Sequence, residues 1–151
     1  MTAVMTIQIY SVSTGQVEHL SPVVKSDAEW KAFLTPQQFD VARKKGTELA
    51  YTGKYHDCKK KGVYLCACCR TDLFLSDAKF DSGTGWPSFS TPVSDHNVRE
   101  QADRSHGMVR MEVLCARCGA HLGHVFDDGP PPTHKRYCMN SPSLTLVQRE
   151  K

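Results

Sequence analysis

No stretch of this 151-residue chain reaches the ~18 consecutive apolar residues that a membrane span needs. The first fifteen residues also lack the basic start and apolar block of a secretory signal, since Thr, Gln and Ser alternate there with Ile7, Ile9 and Val12. A soluble cytoplasmic protein with no membrane partner is expected. Charge of one sign is scarcely in excess: 19 Lys and Arg against 16 Asp and Glu leave +3. Four thiolates on one divalent metal would lower that by two. The basic clusters, Arg43-Lys44-Lys45 and Lys59-Lys60-Lys61, are short and suit a solvated helix end and a solvated loop. Phosphate recognition needs a more concentrated basic face, so no nucleic-acid partner is expected. A disulfide framework is not expected either, because seven cysteines form an odd set in a chain without an export signal. Metal binding or thiol chemistry is the better default for them.

What is present suits one domain with a short extension: 40% of residues are hydrophobic and 23% charged, enough to bury a modest core. Residues 1–25 read as the extension, with a short strand at Ile7–Val12 from its period-two pattern, and residues 26–149 as the main domain. Ser26 and Glu29 form a capping box ahead of Trp30, Phe33 and Leu34, which would share one buried face. Thr35 can cap a second helix with Pro36 at its first position, Phe39 and Ala42 facing the core and Gly46 as its stop. These helices are expected to brace the rest of the domain. From Gly62 the pattern changes to short strands: Val63–Leu65, Met108–Leu114 and Leu144–Val147. In the middle one, Val109, Met111 and Val113 fall on one face, and Arg110 and Glu112 on the other. The Pro130-Pro131-Pro132 run is a stiff loop. The expected class is mainly antiparallel β, preceded by helices.

Two cysteine pairs, Cys66/Cys69 and Cys115/Cys118, each leave a two-residue gap that lets a tight turn aim both sulfurs at one point. Together they complete a tetrahedral thiolate site with no open position, hence a structural metal. Zinc suits this role better than iron because it is redox-inactive. The 45 residues between the pairs exceed the usual ribbon spacing, so strands must be inserted between the two knuckles. Cys68, inside the first knuckle, reads as a bystander.

Cys58 and Cys138 remain. A cysteine is nucleophilic only as thiolate, so it needs positive charge and hydrogen-bond donors nearby. Arg136, His121, His124 and Asn140 can supply these to Cys138 if the chain folds back. Spacing alone leaves Cys138 a candidate, since free cysteines are more often inert and buried.

Three further blocks resemble a known family: Ser82-Gly83-Thr84-Gly85-Trp86-Pro87-Ser88-Phe89, the segment His121 to Pro130, and Arg136-Tyr137-Cys138-Met139-Asn140-Ser141. In this order, between and after two CxxC pairs, they are similar to the signature blocks of the B-type methionine sulfoxide reductases. The likeness runs from about Ser26 to Val147. It implies two antiparallel β-sheets, a structural zinc on Cys66, Cys69, Cys115 and Cys118, and repair of the R epimer of methionine sulfoxide in oxidised proteins. It also implies that Cys138 attacks the sulfoxide sulfur, releases methionine and becomes a sulfenic acid. His121 and His124 would supply or relay the proton that the leaving oxygen needs. Trp86 and Phe126 would hold the substrate, with Trp86 against its methyl group. Arg136 and Asn140 would hold the polar groups and favour the thiolate.

The chain departs from the pattern at Thr84, where many members carry the resolving cysteine that passes oxidation on to thioredoxin. Either an outside thiol reduces the sulfenic acid directly, or Cys58, flanked by Lys59, Lys60 and Lys61, takes that part. His134 stands where glycine is common and is expected to affect loop shape. The implied protein is a monomer that works with thioredoxin or another thiol reductant. A non-catalytic zinc module explains the CxxC pairs but gives Cys138, Trp86 and the histidines no joint task. A redox sensor using Cys58 and Cys138 would not consume sulfoxide.

Overall fold

The computed structural model describes residues 6–104, 107 and 109–148. Met108, the start of one expected strand, and residue 149, the expected domain end, lie outside them. Both helices begin as their sequences dictate. Helix α1 (Asp27–Phe33) carries the reciprocal box: Ser26 Oγ accepts from the Glu29 amide at 3.2 Å, and Glu29 accepts from the Ser26 amide at 3.0 Å. Helix α2 (Pro36–Lys44) repeats the device with Thr35 and Gln38 at 3.1 and 2.9 Å. Trp30, Leu34, Phe39, Val41 and Ala42 are buried. Phe33, expected on the same face, is instead 57% exposed, because α1 ends at it, and its ring lies under the Lys25 ammonium. The residue that stops α2 also differs from expectation. Lys45 takes the left-handed conformation (φ 60°), and Gly46 follows because a Cβ there would strike the Asp40 carboxylate.

Among the described residues, eleven strands follow the expected antiparallel class. They are β1 (Ile7–Ser11), β2 (Gln16–Leu20), β3 (Gly62–Cys66), β4 (Asp72–Leu75), β5 (Lys79–Phe80), β6 (Ser88–Phe89), β7 (Val98–Asp103), β8 (Arg110–Cys115), β9 (His121–Phe126), β10 (Arg136–Met139) and β11 (Leu144–Gln148). The larger sheet has the order β5-β6-β10-β9-β8-β7 and the smaller β11-β3-β4. Aromatic rings fill the space between them: Phe74 stacks on Phe89 at 4.4 Å, and Tyr64 meets Phe89 edge-on at 5.0 Å. No helix among the described residues is long and apolar enough to cross a membrane.

The extension holds two strands where one was expected. β1 and β2 form a hairpin that docks through buried Asn97, whose side-chain amide binds the Tyr10 backbone in both directions (2.8 and 2.9 Å) and also donates to Asp72 O. Along β8 the two faces do not divide simply into buried and exposed: Val113 and Glu112 are buried, while Met111, and Val109 just before the strand, are exposed. From Glu112 onward both faces of this strand are covered, and the face bearing Glu112 turns toward a polar site rather than solvent.

Candidate active site and metal centre

Each cysteine pair sits on the turn that follows a strand, the first between β3 and β4 and the second between β8 and β9. The turns are built alike. The amide of Arg70 bonds Cys66 O and that of Gly119 bonds Cys115 O, both at 2.8 Å, and both residues have positive φ (64° and 75°). Each turn therefore points two sulfurs the same way. The four Sγ atoms of Cys66, Cys69, Cys115 and Cys118 lie within 4.8 Å of one another, so the four cysteines are positioned to bind one metal ion. Two of the pairs, Cys66–Cys118 at 3.6 Å and Cys69–Cys115 at 3.5 Å, approach the ~3.8 Å edge of a tetrahedron with ~2.3 Å metal–sulfur bonds. Because the knuckles come from different sheets, a metal there ties the two sheets together. Arg43 of α2 reaches the same point, donating to Cys118 O at 3.1 Å. Cys68 is buried beside the cluster and outside the set of four.

The second site lies across the larger sheet. Register puts Cys138 of β10 directly opposite His124 of β9, and His124 opposite Glu112 of β8. Opposed residues share a face, so these three side chains stand in a row. His121, three residues before His124, would face away in a regular strand. However, Val113 pairs with Gly123 and Leu114 with His121, which leaves Leu122 as an extra bulged residue. The bulge returns both imidazoles to one face, with ring centroids 5.5 Å apart. Asn140 holds the bulge by donating backbone and side-chain N–H to Leu122 O at 2.8 and 3.2 Å. Gly123 is required beside it, since a Cβ there would collide with the Cys138 carbonyl.

An open cavity of about 260 Å³ is lined by Cys138, His124, Asn140, Trp86, Phe126 and Arg136, together with Thr84 and Thr47. Six of the residues singled out from sequence thus meet in one place. Trp86 is fixed by its indole N–H, which donates to Glu48 O at 3.0 Å. Arg136 is held by Asp128 through two bonds (2.9 and 3.2 Å), and its guanidinium lies over Phe126 at 4.4 Å. His121 stands behind the lining, buried, with Nδ1 2.7 Å from Glu112 Oε2. His124 Nε2 pairs with Asp103 at 2.8 Å. Cys58 lines a separate cavity of about 510 Å³, which shares Trp86 with the first and also contains Lys59, Lys60 and Lys79.

Burial raises the Cys138 thiol pKa above its ordinary range. Arg136 and the Thr84 hydroxyl pull it back down, and the Glu48 carboxylate opposes them. Arg136 therefore pulls toward the thiolate but does not outweigh desolvation. Burial likewise depresses the His121 pKa, against the hydrogen bond to Glu112. Sequence reasoning missed three carboxylates, Asp103 beside His124 among them. Glu48 is buried, accepts from the Ser141 amide at 3.0 Å, and has its pKa raised by burial. Glu112 carried a signal, its place in an alternating strand, but that signal pointed to solvent.

A family model, the SelR domain, matches residues 34–148. The peptide methionine sulfoxide reductase MsrB of Herminiimonas arsenicoxydans is 57% identical over 122 residues, covering 81% of this chain and 89% of that protein. The MsrB proteins of Pseudomonas fluorescens and Thiobacillus denitrificans are each 58% identical, over 83% of this chain and 96% of their own length. A domain match over most of the chain, and relatives this similar over nearly their whole length, place the chain in the SelR family of B-type methionine sulfoxide reductases, which are oxidoreductases.

Proposed function

We propose that this protein reduces the R epimer of methionine sulfoxide in oxidised proteins, with Cys138 as nucleophile and a sulfenic acid as the first product. The observation that carries this reading is the in-register pair of Cys138 and His124 at the floor of a cavity walled by Trp86 and Phe126. The aromatic walls suit the methyl group and chain of the substrate. Cys138 attacks the sulfoxide sulfur, the substrate S–O bond breaks as its oxygen takes a proton moved by the histidines, and that oxygen ends on the Cys138 sulfur as the methionine sulfide is released. Arg136 favours the thiolate, while Asn140, its amide engaged by Leu122 and by Glu48, acts by holding the strand geometry. The four-cysteine cluster is read as a zinc site: four thiolates and no open position suit a structural ion that holds the sheets and takes no part in the reaction.

With Thr84 at the position where many members have a cysteine, recycling falls to Cys58 or directly to an outside thiol. The Cys58 reading is supported by the cavity that meets the active site at Trp86. Its thiol would displace water from the Cys138 sulfenic acid, leaving a disulfide for thioredoxin or another dithiol to reduce. A Cys58→Ser variant that still cycles with thioredoxin contradicts this branch. In the same reading the catalytic unit spans residues 26–149, residues 1–25 are an accessory extension, and the protein works as a cytoplasmic monomer.

The test is turnover of the separated R and S epimers of a methionine sulfoxide peptide with dithiothreitol. We expect reduction of the R epimer alone, and its loss in Cys138→Ser. No turnover by the folded, metal-loaded wild type overturns the reading.

A further inference from the structure

Two histidine–carboxylate pairs lie behind Cys138, His124 with Asp103 and His121 with Glu112, and only the first opens on the cavity. We propose that Glu112 is a positioning residue for sulfoxide reduction: it fixes His121 as the Nδ1-protonated tautomer, so that Nε2 serves as a buried proton carrier behind His124. This inference rests on the reductase reading above.

Glu112 is 1% exposed and both its oxygens are engaged, Oε2 with His121 Nδ1 at 2.7 Å and Oε1 with Lys45 Nζ at 3.3 Å. A carboxylate only accepts, so the proton between it and His121 belongs to Nδ1. In the neutral ring Nε2 then carries a bare lone pair, and that atom is buried without a hydrogen-bond partner among the described residues. A buried acceptor without a donor is uncommon and calls for an explanation, and a proton arriving there during function supplies one. The Leu122 bulge aims it, since a regular strand would turn His121 to the other face.

The chemistry needs such a carrier. The thiol and the sulfoxide give the sulfide and Cys138 sulfenic acid: an S–O bond forms at Cys138, and the S–O bond of the substrate breaks. The Cys138 sulfur is oxidised by two electrons and the substrate sulfur reduced by two. The thiol proton ends on the transferred oxygen, so protons are conserved. What is required is a group that holds the proton between the two events. His121 takes it at Nε2, by way of the neighbouring His124 ring, and the resulting imidazolium is offset by Glu112. The charged and titratable groups acting on His121 are Glu112, which raises its proton affinity, and His124 and Lys45, which lower it.

The test compares wild type, Glu112→Gln and Lys45→Asn. Imidazole ¹⁵N NMR reads the His121 tautomer and titration. Methionine release from an R-sulfoxide peptide, measured before recycling and across pH, reads the chemical step. Wild-type His121 is expected as the Nδ1-H tautomer. Glu112→Gln keeps an acceptor in place but removes the charge. It should move the His121 titration to lower pH and slow methionine release by roughly tenfold to a hundredfold, within the range of general acid–base effects, with KM changed less than about twofold. Lys45 is a largely exposed cation at a left-handed position that asparagine tolerates, so its variant should fold and move the His121 titration upward. An Nε2-H tautomer in wild type, an unchanged titration in Lys45→Asn, or an unchanged rate in a folded Glu112→Gln would each overturn the inference. Absence of methionine release from wild type would instead defeat the reductase reading itself.

Discussion

Thr84 puts a hydroxyl where it bonds Ser82 Oγ at 2.7 Å and lowers the pKa of the Cys138 thiol. Removing that donor leaves burial less opposed, so the thiol pKa rises and less thiolate is present near neutral pH. Thr84→Val should therefore shift the pH dependence of Cys138 alkylation to higher pH and slow it roughly threefold at neutrality, about half a pKa unit. A shift to lower pH would show that the hydroxyl does not serve the thiolate. At this scale the candidate site was largely legible. Cys138, His124, Trp86, Phe126, Arg136 and Asn140 lie in recognisable short blocks, and those blocks meet at one cavity. Glu48 and Glu112 were not legible. A carboxylate in sequence looks solvated, and only the pairing of strands shows that Glu112 faces His121, just as only the folded chain brings Glu48 to Trp86.

Elements with local causes were read well. The capping boxes of α1 and α2 depend on residues three apart, so sequence alone locates those helix starts. Features set by distant contacts were not. β2 has little apolar alternation of its own, and the hairpin is held through Asn97, 87 residues from Tyr10. The bulge at Leu122 exists only in the register between β8 and β9, so nothing in the local sequence showed that His121 and His124 share a face. Asn97→Ala would leave the Tyr10 N–H and C=O and the Asp72 carbonyl without their partner. It should cost roughly 2–4 kcal/mol in urea unfolding, with hydrogen exchange rising first in β1 and β2. An unchanged midpoint would mean that the hairpin contributes little to the fold.

For the whole molecule, the two cysteine knuckles bring the two sheets together at one place while the aromatic rings fill the space between them, and a metal bound by the four cysteines would tie that junction. Removing the metal should therefore loosen the sheet contact rather than only the turns. A strong chelator is expected to lower the Tm by roughly 10 °C or more and to release about one zinc per chain. An unchanged Tm after complete metal loss would contradict that role. Acid should also destabilise the folded chain. His121 has a depressed pKa in the native state, so the unfolded chain binds more protons as pH falls through the ordinary imidazole value of 6.5 toward the lower native one, and stability is lost over that window. The central claim is that the cavity across the larger sheet transfers oxygen from methionine sulfoxide to Cys138. The most direct measurement is a single turnover of an R-sulfoxide peptide without any reductant, followed by mass spectrometry of the protein. The account predicts one methionine released per chain, matched by one oxidation event at Cys138, either a sulfenic acid or a disulfide that includes this residue. Methionine release with Cys138 left as a free thiol, or no release by the metal-loaded protein, would contradict it.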